Sequence, residues 1–201
     1  MLPFDAETLH ANLGQYNLAF WPASIVGLLL GLALIGLCLR PRAGAGRAGA
    51  AILVAAWTWT GIAYHLGHFA TINFAAPIYG WAFLVQSALL AWTGLLRGSL
   101  RFESPSRTNR WASLAVLILA IPGLPLLEML AGQHWPEIAL FGTAPNPAAL
   151  ATVGFLLMAA RPPRPLAIIP VLWALASGAT AWELGLWQDL AAPVATLAGA
   201  A

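Results

Sequence analysis

Long apolar runs separated by short, arginine-bearing loops dominate the chain. A membrane-spanning helix needs about 20 mostly apolar residues, and several runs approach that length. Spans are predicted at about 19–39, 49–70, 75–96, 111–131, 147–160 and 166–184. The apolar tail 188–201 is a candidate for a short seventh span. The pattern therefore predicts an all-α, polytopic bundle of six to seven transmembrane helices, which forms one membrane domain over residues 1–201.

Two of these spans carry irregular features. Pro122 and Pro125 lie inside span four and predict a kink there. Span five is short, roughly 21 Å for some 14 residues at a rise of about 1.5 Å each. Asn146 has the character of an N-cap and Pro147 that of the first helical residue. The preceding loop either dips into the bilayer or lies at the interface above a tilted helix.

Composition supports a membrane protein over a soluble one. Hydrophobic residues make up 60% of the chain and charged residues 8%, whereas an average soluble domain is about one quarter charged. A soluble enzyme and a disordered chain are thereby excluded. The net charge of only +2 argues against a nucleic-acid partner. No P-loop, GxSxG, HExxH or dinucleotide motif is present, so nothing positively indicates an enzyme.

The charged residues predict how the bundle is oriented. All nine basic residues are arginines, and they follow spans one, three and five: Arg40, Arg42, Arg47, Arg97, Arg101, Arg107, Arg110, Arg161 and Arg164. By the positive-inside rule that side is cytoplasmic. Six of the seven acids and all four histidines lie on or near the other side, and only Glu103 is inside. The N-terminal segment 1–18 is therefore outside, either as an amphipathic helix on the membrane surface or as a solvated terminus.

A histidine pair at the outer end of span two is the first candidate for chemistry. His65 and His68 follow Tyr64 and are three residues apart, which places them on one face of an α-helix. Such a pair can chelate a metal, ligate haem iron or move protons. The structural alternative is that His68 sits at the interface and His65 makes one buried hydrogen bond. Metal sites usually use three or more protein ligands, so the metal and any cofactor stay unidentified.

Glu128 is the second candidate, because an acid flanked by apolar residues in a span is costly and tends to face the bundle interior. The alternative is a carboxylate that reaches back to the surface. Glu183 and Asp189 could complete a site with the histidines, or could simply be solvated. The wider set of pocket candidates on the outer side is Tyr64, Asn73, Thr143, Asn146, Glu183 and Asp189.

Several stretches together resemble an uncharacterised family of bacterial multi-pass membrane proteins, a domain of unknown function of about this length. They include Leu2-Pro3-Phe4, Tyr16-Asn17, Gly61 to His65, Ile72 to Ala76, Phe141 to Pro147, and Ile169 to Trp173. The resemblance covers nearly the whole chain and implies no established activity. In that family the position of Asn146 is usually Cys, in a Pro-Cys-Pro context. Asn cannot be a thiolate ligand, which puts a soft-metal site at this position in doubt.

Three functions of different classes remain open. One is binding or moving a metal ion, a proton or a small solute, with His65 central, His68 and Glu128 as partners and the backbone of 143–147 closing the pocket. A second is a non-catalytic subunit of a larger membrane complex or a homo-oligomer, favoured by abundant small residues. A membrane zinc hydrolase is disfavoured, because no histidine follows His134. The expected location is the bacterial inner membrane, with the lipid bilayer as partner and the N-terminus periplasmic or extracellular.

Overall fold

The computed structural model describes residues 2–102, 106–159 and 163–200. Within these ranges it is all-α and contains no strand. In chain order the α-helices are α1 (Ala6–Ala19), α2 (Trp21–Leu39), α3 (Ala45–Trp59), α4 (Ala76–Leu90), α5 (Arg107–Ile118), α6 (Leu124–Leu130), α7 (Pro145–Leu156), α8 (Pro165–Leu184) and α9 (Ala191–Ala200). Glu103 and Arg161, both predicted to lie in inner loops, fall outside the described ranges.

Three of the α-helices continue without interruption into π-helical segments. Thr60–His68 extends α3, Ala91–Leu96 extends α4, and Leu119–Gly123 joins α5 to α6. The last segment contains Pro122, whose missing N–H cannot support the regular α pattern. At Pro122 the helix therefore has a widened, π-helical turn. Such π-helical turns are rare and occur frequently at functional sites.

Four helices in the described ranges are long and apolar enough to cross a membrane, judged by length and composition. They are Trp21–Leu39, Ala76–Leu96, Arg107–Leu130 and Pro165–Leu184. Each exposes large apolar side chains, for example Leu29, Ile78, Leu126 and Leu172. Four of the predicted spans therefore have a counterpart of sufficient length and hydropathy, and the helices that meet these criteria are fewer than the six to seven predicted.

The other predicted spans differ from the helices that form. The region of 49–70 is helical, but its Gly, Thr, Tyr and His residues lower its hydropathy and it is not among the four. In place of a span at 147–160, α7 has 12 residues, which is about 18 Å and well short of a hydrocarbon core of about 30 Å. The tail forms α9, which has 10 residues and is too short to cross alone.

The short helix α7 lies at the centre of the bundle. All of its residues except Asn146 are buried, and it contacts α3, α5, α8 and α9. Its Thr152 hydroxyl accepts a hydrogen bond of 2.8 Å from the indole N–H of Trp57, which is fully buried. A helix apolar all round is stable only in such a buried position, which explains why a 12-residue segment persists here.

An irregular segment leads into α7 and is itself buried. Phe141 is fully buried, and Gly142 has φ +88°, a backbone conformation that favours glycine. A Cβ built on Gly27 of α2 would lie 2.3 Å from the Phe141 carbonyl oxygen. Gly27 is six residues after the start of α2, about 9 Å along its axis. The segment therefore packs deep against α2, and its backbone approaches as closely as two glycines allow.

The N-terminal segment 1–18 is largely helical. Asp5 caps α1, since its carboxylate accepts a hydrogen bond of 2.8 Å from the N–H of Thr8. That bond lowers the pKa of Asp5. The buried residues of α1 are mainly polar, and two of them bind distant backbone: Tyr16 donates to the carbonyl of Thr143 at 3.0 Å, and Asn17 to that of Ile138 at 2.9 Å. These two hydrogen bonds hold α1 against the segment that precedes α7.

Candidate functional site

A cavity of about 100 Å³ lies at the end of the bundle that carries α1 and the segment preceding α7. We call it the acidic cavity. Helix α8 lines one side with positions three and four residues apart, namely 173, 176, 177, 180 and 181, while α1 closes another side. Its polar and aromatic lining residues are His10, Tyr64, Phe69, Asn73, Tyr79, Glu128, Gln133, Glu137, Asn146, Trp173, Ser177, Thr180 and Asp189.

The Glu128 side chain of α6 lines this cavity and is bound by the backbone of the segment preceding α7. Its Oε2 accepts a hydrogen bond of 2.6 Å from the N–H of Ala139. The Glu128 carbonyl accepts a second bond from the N–H of Gln133 at 3.0 Å. Both partners belong to the segment preceding α7. One carboxyl oxygen of Glu128 is therefore held by the backbone N–H of Ala139.

Asp189 reaches the same cavity from the C-terminal part of the chain. Helix α8 ends at Gly185, whose φ of +71° reverses the chain direction. The short 3₁₀ turn Trp187–Leu190 follows and places Asp189 in the cavity lining. Burial raises the pKa of Asp189 to about 6. Two carboxyl groups from distant parts of the sequence, those of Glu128 and Asp189, thus face one cavity of low polarity.

Asn146 and Trp173 tie α7 to α8 at the cavity wall. The Asn146 Oδ1 accepts a hydrogen bond of 2.8 Å from the Trp173 indole N–H. The prediction that Asn146 caps α7 was wrong: the helix begins at Pro145, its N-cap residue is Ala144, and no side chain caps it. Proline at the first helical position needs no hydrogen-bond acceptor. The Asn146 side chain is consequently available to bind the indole.

The predicted histidine pair is not brought together. His65 is fully buried and lies against Phe83 and Trp173, with ring centroids 4.5 and 5.0 Å away. The His68 ring contacts Tyr16 and Phe20 on the side of α1. The reason is the π-helical segment Thr60–His68, because its wider turn no longer places residues three apart on one face.

Neither ring nitrogen of His65 has a hydrogen-bond partner in the described part of the chain. The buried hydrogen bond expected for this residue is therefore not found there. His65 does not line the acidic cavity but stands behind Trp173, which does. Among the described residues no three His, Cys, Asp or Glu side chains are grouped so that they could hold a metal ion.

The remaining predicted residues divide between the cavity and its surroundings. Tyr64 and Asn73 line the cavity, and the Asn73 side chain accepts a bond of 2.9 Å from the N–H of Ala75. Thr143 is buried, and its carbonyl receives the Tyr16 hydroxyl at 3.0 Å. Glu183 is exposed and accepts a bond of 3.2 Å from the N–H of Leu2. Glu183 and Thr143 are thus outside the lining.

Sequence reasoning missed several cavity residues. Tyr79, Trp173 and Thr180 line the cavity from α4 and α8, and Gln133 with Glu137 does so from the segment preceding α7. A signal existed on α8, where small and polar residues recur every three to four positions after Trp173. The contribution of α4 had no signal, because it depends on which helices become neighbours.

Residues 6–201 match the model of DUF6064, a family of unknown function, so the chain belongs to that family. The match covers nearly the whole chain, as did the resemblance to an uncharacterised family. No curated protein and no solved structure matches the chain. The family description assigns no activity. The acidic cavity is therefore the feature from which a function can be inferred.

Proposed function

We propose that this DUF6064 protein is a multi-pass protein of the bacterial cytoplasmic membrane that binds a small organic cation in the acidic cavity, on the outer side of the membrane. The observation that carries the proposal is the placement of the Glu128 and Asp189 carboxyl groups in one partly open cavity with aromatic walls. Burying ionisable side chains in an apolar membrane bundle costs free energy, and such side chains usually mark a ligand site.

The distribution of arginine supports this orientation. The described arginines lie on the loops and helix ends opposite the acidic cavity, and none lines that cavity. By the positive-inside rule the arginine side is cytoplasmic. The N-terminus and the acidic cavity then face the periplasm or the extracellular space. The four long apolar helices cross the bilayer, and α3 with its π-helical extension crosses beside them, while α7 remains inside the bundle.

The charge of the cavity favours a cation. Three carboxyl groups line it, those of Glu128, Glu137 and Asp189, and the imidazole of His10 is the one basic side chain in its described lining. Burial lowers the pKa of His10, more than the nearby Glu137 raises it, so this imidazole is largely neutral at pH 7. Asp189 is ionised above its pKa of about 6 and therefore gives the cavity negative charge near neutral pH. A cation that enters it exchanges its hydration shell for carboxylate oxygens.

The aromatic wall favours an organic cation over a metal ion. The rings of Tyr64, Phe69, Tyr79 and Trp173 line the cavity, and ring faces attract ammonium groups by about 0.5–2 kcal/mol each. Metal sites usually have three or more protein ligands close together. The described residues contain no such group of His, Cys, Asp or Glu side chains. Carboxylates opposite aromatic rings are the arrangement that suits an alkylammonium or guanidinium ion.

The size of the cavity limits the ligand. An engineered cavity of about 150 Å³ in another protein holds benzene, so a cavity of about 100 Å³ fits a cation of fewer atoms. Even the best very small ligands gain at most about 1.5 kcal/mol per non-hydrogen atom. We therefore expect dissociation constants no lower than about 3 μM for tetramethylammonium, which has five non-hydrogen atoms, and no lower than about 0.5 mM for ethylammonium, which has three.

Binding of the cation competes with protonation. Because burial raises the pKa of Asp189 to about 6, this group holds a proton in a fraction of molecules near neutral pH. A bound cation favours the ionised carboxylate, so it expels that proton.

The test is ligand-induced stabilisation of the purified protein in lipid nanodiscs. Ethylammonium, guanidinium and tetramethylammonium are compared with acetamide and acetate as neutral and anionic counterparts. A cation at 100 times its dissociation constant should stabilise the protein by about 2.7 kcal/mol, whereas acetamide and acetate should not. Glu128→Gln should weaken the cation effect at least tenfold. Glu7→Gln is the matched control, since this acid lies exposed on α1 outside the cavity.

Two results would overturn the proposal. One is equal stabilisation by cations and by acetamide, and the other is unchanged cation binding in Glu128→Gln. If Glu128→Gln does not fold, Asp189→Asn carries the same test from another part of the chain. A protein that binds none of these ions, and that is stable only together with another membrane protein, would favour the alternative of an accessory subunit.

A further inference from the structure

A second cavity, at the opposite end of the bundle, is lined by arginine. It has a volume of about 530 Å³, and we call it the arginine pocket. Its lining consists of Pro41, Arg42, Ala43, Gly44, Gly46, Arg47, Arg97, Gly98, Leu100, Arg101 and Phe102. Four arginines therefore line one concave surface, and Arg101 among them already donates a hydrogen bond of 3.4 Å to the Gly98 carbonyl.

Two loops and a helix end build this pocket. The first loop links α2 to α3, and the second follows the π-helical segment Ala91–Leu96. Gly98 of the second loop has φ +58°, and a Cβ there would lie 3.2 Å from the Arg47 guanidinium. The guanidinium of Arg47 thus rests against the opposite loop. The N-cap residue of α3, Gly44, also lines the pocket and no side chain caps the helix, so the positive end of α3 faces the pocket.

The arginine side chains differ in what they already bind. Arg110 lies outside the pocket and donates a hydrogen bond of 2.6 Å to the Leu39 carbonyl, which closes the end of α2. Arg97 lies over the ring of Trp92, with 5.0 Å between guanidinium carbon and ring centroid. A stacked guanidinium keeps its in-plane N–H donors available for an oxyanion. Like charges collected at one place repel each other, and a bound anion would remove that cost.

The pocket lies where two candidate spans end. Trp21–Leu39 and Ala76–Leu96 both terminate at its edge. Leu39, Trp92 and Leu96 are exposed next to it, Leu96 to 69%. A ligand held here would therefore have its charged group among arginines and an apolar part along exposed leucine and tryptophan. That combination is the chemistry of a phospholipid.

We propose that the arginine pocket binds the phosphate of an anionic phospholipid headgroup, with the acyl chains lying along Leu39 and Leu96. Arginine forms bidentate hydrogen bonds to phosphate oxygens, and basic pockets between helices on the cytoplasmic side bind anionic lipid headgroups. The proposal is independent of the cation site, because the two cavities lie at opposite ends of the bundle and share no residue.

The test counts bound lipids by native mass spectrometry of the detergent-purified protein, titrated with phosphatidylglycerol or with phosphatidylcholine. We expect one retained phosphatidylglycerol and no retained phosphatidylcholine. Arg42→Gln, Arg47→Gln and Arg97→Gln should each weaken retention about fivefold. Arg164→Gln is the control, since this exposed arginine belongs to the same side but not to the pocket. Melting temperatures in neutral detergent establish that each variant is folded.

The outcomes separate the sources of phosphate. If soluble glycerol phosphate displaces the lipid at similar concentration, the apolar contacts contribute nothing and the lipid assignment is overturned. Equal retention of the two lipids, or losses as large in Arg164→Gln as in the pocket variants, would overturn the site itself. Should a Gln variant be unstable, the Lys variant at the same position keeps the charge and should retain lipid more weakly than Arg.

Discussion

The buried segment before α7 depends on glycine at position 27. A Cβ there would lie 2.3 Å from the Phe141 carbonyl oxygen and 3.1 Å from the Gly142 Cα. A Cβ atom in a protein essentially never lies within 3.0 Å of such a non-bonded atom. In Gly27→Ala the segment must therefore retreat by roughly 0.7 Å or more, which disturbs the packing of Phe141 on α2.

The expected loss of stability in Gly27→Ala follows from overpacking of the core. Added methyl groups in a well-packed core cost about 1–3 kcal/mol. For a protein of this size that lowers the melting temperature by roughly 2–12 °C. Gly36→Ala is the control in the same helix, because its Cβ would meet nothing within 4 Å. That substitution should leave stability unchanged or raise it by up to about 1 kcal/mol.

Thermal unfolding of both variants in the same mild detergent measures the difference. Gly27→Ala should melt below the wild type and Gly36→Ala at or above it. The position of the segment also sets the Ala139 N–H that holds Glu128 at 2.6 Å, so Gly27→Ala should weaken cation binding too. If the two variants melt at the same temperature, the segment does not pack against α2 as described.

Three further predictions test other parts of the structure. Thr152→Val leaves the buried Trp57 N–H without its 2.8 Å acceptor and should destabilise the protein by about 1–3 kcal/mol. Trp57→Phe should cost less stability in the Thr152→Val background than in the wild type, and purely additive effects would refute the bond. Cation affinity should rise between pH 5 and pH 7, because the Asp189 carboxyl ionises as the pH passes its pKa of about 6. Asp189→Asn should flatten this pH profile of affinity. An unchanged profile in that variant would contradict the role of Asp189 in cation binding. His65→Phe should keep or raise the melting temperature, since both buried ring nitrogens lack partners in the described part of the chain; a marked loss of stability would show that the ring has a ligand or water partner.

The all-α class and four of the predicted spans could be predicted because apolar runs of sufficient length are a local signal. For Glu128 the sequence left two positions open, the bundle interior and the membrane surface, and in the structure it lines the acidic cavity. Asp189 was left open between a site and solvent, because its direction depends on the reversal at Gly185, whose φ is +71°.

The parts that could not be predicted depend on departures from regular helix geometry and on contacts between distant residues. His65 and His68 share a face in an α-helix but diverge in the π-helical segment that forms. Asn146 is a residue type that often caps helices, yet α7 already begins one residue before it, at Pro145. Trp173 binds Asn146 from 27 residues away, and no local pattern predicts that pairing.

The central claim is that the acidic cavity binds a small organic cation through its carboxylates. The most direct measurement is equilibrium binding of radiolabelled tetramethylammonium to the protein in nanodiscs at pH 7.5, with Glu128→Gln alongside. We predict one saturable site with a dissociation constant between about 3 μM and 1 mM, from which guanidinium displaces the label and which is lost in the variant. Binding that never saturates, or that is equally strong in Glu128→Gln, would contradict the account.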